Sequence, residues 1–223
     1  MTTRSSFLAG SLMTAATVAG TGRAQATSGY DVHAMESAIA RPARHRQLIA
    51  APQVARGAAL RYAGNTLNAF QFALNAGPGT VHTICVFYGT SVVYVASDEL
   101  WAKYRLFDVL DGANDALPFA VHEPRNPFLH ARSALRATDS PDDQTGFYHD
   151  FSIEALSRRG VTWFVCDNAL HTAAEQIARF EHADPARVYG DFRAGLVREA
   201  IVVPAGVAAI VLAQEAHFTL QPA

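Results

Sequence analysis

Apolar residues follow two alternating patterns from residue 46 onward. Short continuous runs read as strands: RQLIAAPQ (46–53), VHTICVFY (81–88), VTWFVC (161–166) and AIVVPAG (200–206). VHTICVFY is nearly all apolar or β-branched, the pattern of a parallel strand covered on both faces. Between these runs the apolar spacing becomes helical. NTLNAFQFALNAG (65–77) carries Leu67, Phe70, Phe72, Ala73 and Leu74 on that spacing, with Asn65 as N-cap and Gly77 as the stop. FSIEALSRRG is a helix ending at Gly160, and LHTAAEQIARF sets Leu170, Ala173, Ala174, Ile177 and Ala178 on one face. FRAGLVREA (192–200) and a final VAAIVLAQEAHF (207–218) complete the helices. Alternation of this kind predicts an α/β fold with a parallel sheet and right-handed crossovers, whose ligands bind beyond the carboxyl ends of the strands.

Two regions depart from the alternation. In SVVYVASDELWAKYRLFDVL the residues Val92, Val93, Tyr94 and Val95 favour strand, whereas Ser97 caps a helix expected over at least residues 98–109. Residues 111–150 hold four prolines and clustered turn residues, and read as an irregular insertion. The N-terminus reads as an export signal over residues 1–26: Arg4, an apolar stretch from Phe7 to Gly20, then Ala24-Gln25-Ala26 as the cleavage site. The opening TTRSSFLAG resembles the twin-arginine pattern with Ser5 in place of the second arginine, so Tat and Sec routes both stay open. The expected organisation is signal peptide, a linker or loosely attached arm over 27–45, and one domain over 46–223. The expected location is the periplasm, with the mature chain starting near Thr27.

Composition adds exclusions. The chain has 223 residues, half of them hydrophobic, and a formal charge of −2 that falls to −4 once Arg4 and Arg23 leave with the signal. That balance offers no basic footprint for nucleic acid and no basic helix for a membrane surface. Of the two cysteines, Cys85 lies within an expected strand and Cys166 at the end of another, positions that rarely reach bridging geometry. His122, His130 and His149 show no metal-ligand spacing, and no metal is expected. Arg125 and Asn126 are polar loop residues placed to meet an anion or simply to be solvated. Gly206 with Pro204 fits a strand end and a helix start.

Cys166 carries the candidate chemistry. A thiol between a strand and a helix meets unpaired backbone N–H groups and the positive end of the helix dipole, which favour its ionised, nucleophilic form. Asp167 opposes this. Thr172-Ala173-Ala174-Glu175 also fits a capping box, which would start the helix after His171 and leave that imidazole free to pair with the sulfur. The alternative is a cysteine that fills a buried gap.

GVTWFVCDNAL (160–170) followed by AIVVPAGVAAIVLAQEAHFTLQP (200–222) resembles the C-terminal half of the DsrE/DsrF-like family: a helix ending in Gly, a hydrophobic strand closed by cysteine, a second strand and a terminal helix. SVVYVASDELWAKYRLF and the Asn-Pro-Phe of RNPFLH resemble an exported subgroup of that family. The resemblance implies a flavodoxin-like three-layer sandwich, homo-oligomers, and a persulfide-carrying role at Cys166. The expected function is sulfane-sulfur handling or thiol redox chemistry at Cys166, with Asp167, Asn168 and His171 lining its pocket. The partner would be a small sulfur compound or another thiol protein, and no organic cofactor is implied. A non-catalytic oligomeric module binding a small ligand, its cysteine structural, is the competing expectation.

Overall fold

A computed structural model describes residues 29–112, 124–131 and 150–223. Five strands form one sheet: β1 (His45–Ala51), β2 (Val81–Phe87), β3 (Thr162–Cys166), β4 (Ala200–Val203) and β5 (Thr219–Pro222), in the order β4-β3-β2-β1-β5. Every pairing is parallel. One register row runs Ile49, Cys85, Trp163, Ala200 across four strands, and β2 is buried along its whole length. Helices cover both faces, giving the flavodoxin-like three-layer α/β sandwich.

The order of the strands decides which helix goes where. Steps from β1 to β4 all run in one direction, so right-handed crossovers put α2 (Ala58–Asn68), α3 (Asp98–Lys103), α4 (Leu106–Gly112), α5 (Ile153–Arg158), α6 (Asp167–Glu181) and α7 (Pro185–Ala194) on one face. The last crossover runs back to the far edge and puts α8 (Gly206–Glu215) on the other, beside α1 (Val32–Ala40). The two buried clusters divide the same way. Phe87, Trp163, Leu170 and Phe192 lie in one; Met35, Ile39, Phe164, Ala209 and Phe218 lie in the other. Chains leaving the neighbouring strands β3 and β4 therefore diverge to opposite faces at their carboxyl ends, the switch point at which sheets of this kind bind ligands.

Several elements differ from the sequence expectation. The stretch 27–44 is no loose linker where it is described, because α1 docks Met35 and Ile39 under the sheet. Helix α2 starts at Ala58, not after Asn65, and passes into a π-turn over Ala69–Ala73. Its Gly64 lets Phe151 pack so close that a Cβ would lie 2.1 Å from the ring. Phe70 and Phe72 are only half-buried and Leu74 is exposed, so their helical spacing marks no core face.

Gly89–Val95 is a tight 3-10 helix rather than a strand, although Val92–Val95 are buried. Side chains replace the ladder there. Trp101 Nε1 donates to the Val93 carbonyl at 3.1 Å, and Asn126 Nδ2 donates to the Tyr94 and Ala96 carbonyls at 2.8 and 2.7 Å. Asn126, 2% exposed, is thus committed to structure and not to an anion. The 98–109 helix breaks at Arg105, where φ is 45°, into α3 and α4. Helix α7 lies seven residues ahead of the expected 192–200 helix, started by Asp184 and Pro185 and ended at Gly195. The expected final helix stops at Glu215, and the chain adds β5 along β1. Of the 111–150 insertion, residues 124–131 are held against α3 and α5. His122, His149 and the export segment lie outside the described residues.

Candidate functional site

Cys166 is the last residue of β3 and the N-cap of the 15-residue α6, so the helix starts at Asp167 and not after His171. Gly206, the first residue of α8, packs against it: a Cβ on Gly206 would stand 3.2 Å from the Cys166 Cβ and 3.0 Å from that of Tyr88. A side chain at 206 would crowd this junction, so the glycine eases the close start of α8. Two helix N-termini, one per face, thus converge on the sulfur-bearing residue. Cys166 is nevertheless only 6% exposed. Both cysteines are free thiols, and Cys85, fully buried mid-strand, has its ionisation pushed far up by burial.

Beside the sulfur lies a polar cluster that the sequence did not disclose. Asp167, 2% exposed, accepts from the Tyr30 hydroxyl at 2.8 Å, the Tyr189 hydroxyl at 2.8 Å and Arg193 Nη1 at 3.2 Å. His171 Nε2 stands 3.6 Å from the same carboxylate, and its ring stacks on Tyr189 with centroids 3.8 Å apart. Burial, and then the bond to Asp167, pushes the Tyr189 phenol up to about 12. The bond to Asp167 raises that of Tyr30. Both phenols stay neutral donors at physiological pH. The carboxylate expected to bear on the sulfur is thereby occupied by three donors, and His171 pairs with Asp167 rather than with Cys166. Asn168 is exposed on the first turn of α6, where its carbonyl accepts from Thr172 Oγ1 at 3.0 Å.

The elements explain the cluster. Tyr189 and Arg193 are four apart on α7 and share the face turned toward α6. That spacing was legible, but only with α7 placed at 185–194. Tyr30 lies in the arm, far from the site in sequence, and no local signal marks it. An apolar cavity of about 90 Å³ opens next to the first turns of α6, lined by Gly89, Val93, Ala169, Ala173 and Ile177. Among the described residues no group of three or more His, Cys, Asp or Glu is arranged to hold a metal.

No family model matches the chain, and none of the curated proteins does. Among solved structures, a protein of unknown function, MTH1491 from Methanobacterium thermoautotrophicum, is similar at 16% identity over 80% of this chain and 99% of that one, with a TM-score of 0.37.

Proposed function

We propose that this is an exported, periplasmic, DsrE-like protein that handles sulfane sulfur through Cys166. The supporting observation is the position of Cys166 between two converging helix N-termini at the carboxyl end of the sheet, a place where helix dipoles favour negative charge. The chemistry is a balanced exchange. The Cys166 thiolate attacks the outer sulfur of a persulfide or polysulfide donor. A new S–S bond forms on Cys166, the donor's S–S bond breaks, and the donor leaves as a thiolate. No oxidant is consumed. Subunits associate through the face of α8 that presents Val207, Val211 and Leu212 to solvent, since such apolar area favours burial.

A second reading has its own support. The 6% exposure of Cys166 and the apolar cavity beside α6 favour a small-ligand module with a structural cysteine. Incubation with inorganic polysulfide followed by peptide mass spectrometry separates the two. The sulfur reading expects a gain of about 32 Da, one sulfur atom, on the Cys166 peptide and none on that of Cys85. A Cys166 that stays unmodified, even in variants in which alkylation shows it to be reachable, makes the binding module the right reading.

A further inference from the structure

We infer that residues 29–31 form a strap which closes over Cys166 and must lift before the thiol can meet a reactant. The path of the chain carries this. Arg193, on α7 in one helical layer, donates Nη2 to the Gly29 carbonyl at 3.0 Å. Tyr30 then donates its hydroxyl to Asp167, the residue next to Cys166. Asp31 caps α1 by accepting from the Ala34 N–H at 2.8 Å, and α1 docks in the opposite layer through Met35 and Ile39. In three residues the chain thus passes from one layer to the other at the carboxyl end of β3. The Tyr30 hydroxyl reaches the Asp167 carboxylate at 2.8 Å, one residue on from Cys166. Gly206 and the core cluster account for part of the burial of Cys166, and on this inference the strap, fastened to the adjacent Asp167, supplies the rest.

The fastening suits a latch. Gly29 is exposed and Tyr30 half-buried, so the strap holds through two hydrogen bonds to charged side chains rather than through apolar packing. Segments of this kind open far below the cost of global unfolding. The anchor below stays shut, because Asp31 and α1 keep the chain attached to the sheet. The consequence for sulfur transfer rests on the proposed role of Cys166; the strap itself does not.

The test is the rate at which iodoacetamide alkylates Cys166 in the full chain, with Cys85 as internal monitor of the fold. Tyr30→Phe deletes one hydroxyl, and should speed labelling of Cys166 by about tenfold, the factor that a hydrogen bond to a charged group contributes. Tyr30→Ala should speed it further. Cys85 should stay unlabelled in both. Tyr62→Phe, which alters another partly exposed tyrosine, should leave the rate unchanged. An unchanged rate in Tyr30→Phe overturns the strap, and if Tyr30→Ala exposes Cys85 by unfolding, Tyr30→Phe still decides. Faster alkylation without sulfur uptake from polysulfide keeps the strap and defeats the sulfur reading. Sulfur uptake with unchanged alkylation does the reverse.

Discussion

Asp167 and His82 sit at opposite ends of neighbouring strands, each almost wholly buried, and they solve the problem of a buried titratable group in opposite ways. Asp167 gathers two phenols, a guanidinium and an imidazole, and so can be buried as an anion. His82, near the amino end of β2 and 1% exposed, has Nε2 3.3 Å from Thr162 Oγ1, while its Nδ1 finds no hydrogen-bond partner among the described residues. Burial, reinforced by the charges of Arg41 and Arg46, lowers its titration to about 4. A buried charge is kept where donors converge, and given up where they do not. The carboxyl end of β3 keeps a buried charge among donors, and the amino end of β2 buries an imidazole that the nearby arginines help to hold neutral.

The largest effect should come from breaking the charged end. Asp167→Ala leaves Arg193 without its carboxylate and two phenols without their acceptor. A cost of about 3–5 kcal/mol is expected, as for breaking one partner out of a buried ion pair. Urea denaturation checks it. A loss under about 1 kcal/mol would mean that the cluster is solvated in solution and the comparison mistaken.

How much of this was legible follows from what each signal depends on. Strands β1 to β4 were readable because each carries a short continuous apolar run, as residues 84–88 do in VHTICVFY. Strand β5 was not, because TLQP has one large apolar residue and gains its place only by pairing with β1. Val92–Val95 misled for a converse reason: their β-branched side chains record burial, while Asn126 and Trp101, distant or out of phase, satisfy the backbone. Cys166 at a strand end was visible locally. Its surroundings were not, since Tyr30 reaches Asp167 across 137 residues. Pro185 was the neglected signal: Asp184-Pro185 opens α7, and with that start Tyr189 and Arg193 fall on one face.

The second test concerns the neutral end. The folded value of His82 lies below the ordinary imidazole value of 6.5. On acidification from 6.5 the unfolded chain therefore takes up its proton before the folded one does. The contribution of a neutral His82 is complete above pH 6.5 and is lost as pH falls toward about 4. The whole loss amounts to about 3 kcal/mol at most. His82→Gln should flatten the acid limb of stability between these limits. If the variant and the parent lose stability in parallel, His82 is not the group that governs it.

The weakest of the three effects belongs to a charged pair that faces water. His130 bridges Asp98 Oδ2 at 2.8 Å through Nε2 and Glu154 Oε1 at 3.0 Å through Nδ1, with half of its side chain exposed. Arg158 lies 4.0 Å from the same Glu154, and the Ala131 N–H donates to its other oxygen at 2.9 Å. The bond to Asp98, and then that to Glu154, raises the imidazole above its ordinary value. The sign is opposite to that of His82. The clamp contributes fully below 6.5 and is lost as pH rises through the raised folded value. Solvent screens the pair, so a few tenths of a kcal/mol is expected, enough to loosen residues 124–131 and too little to unfold the domain. An imidazole titration by NMR reads both groups in one sample: one resonance should titrate above 6.5 and vanish in His130→Gln, and another well below it and vanish in His82→Gln. A His130 that titrates at or below 6.5 would show that its two carboxylates give no net stabilisation in water, and that only the enclosed cluster at Asp167 turns pairing into stability.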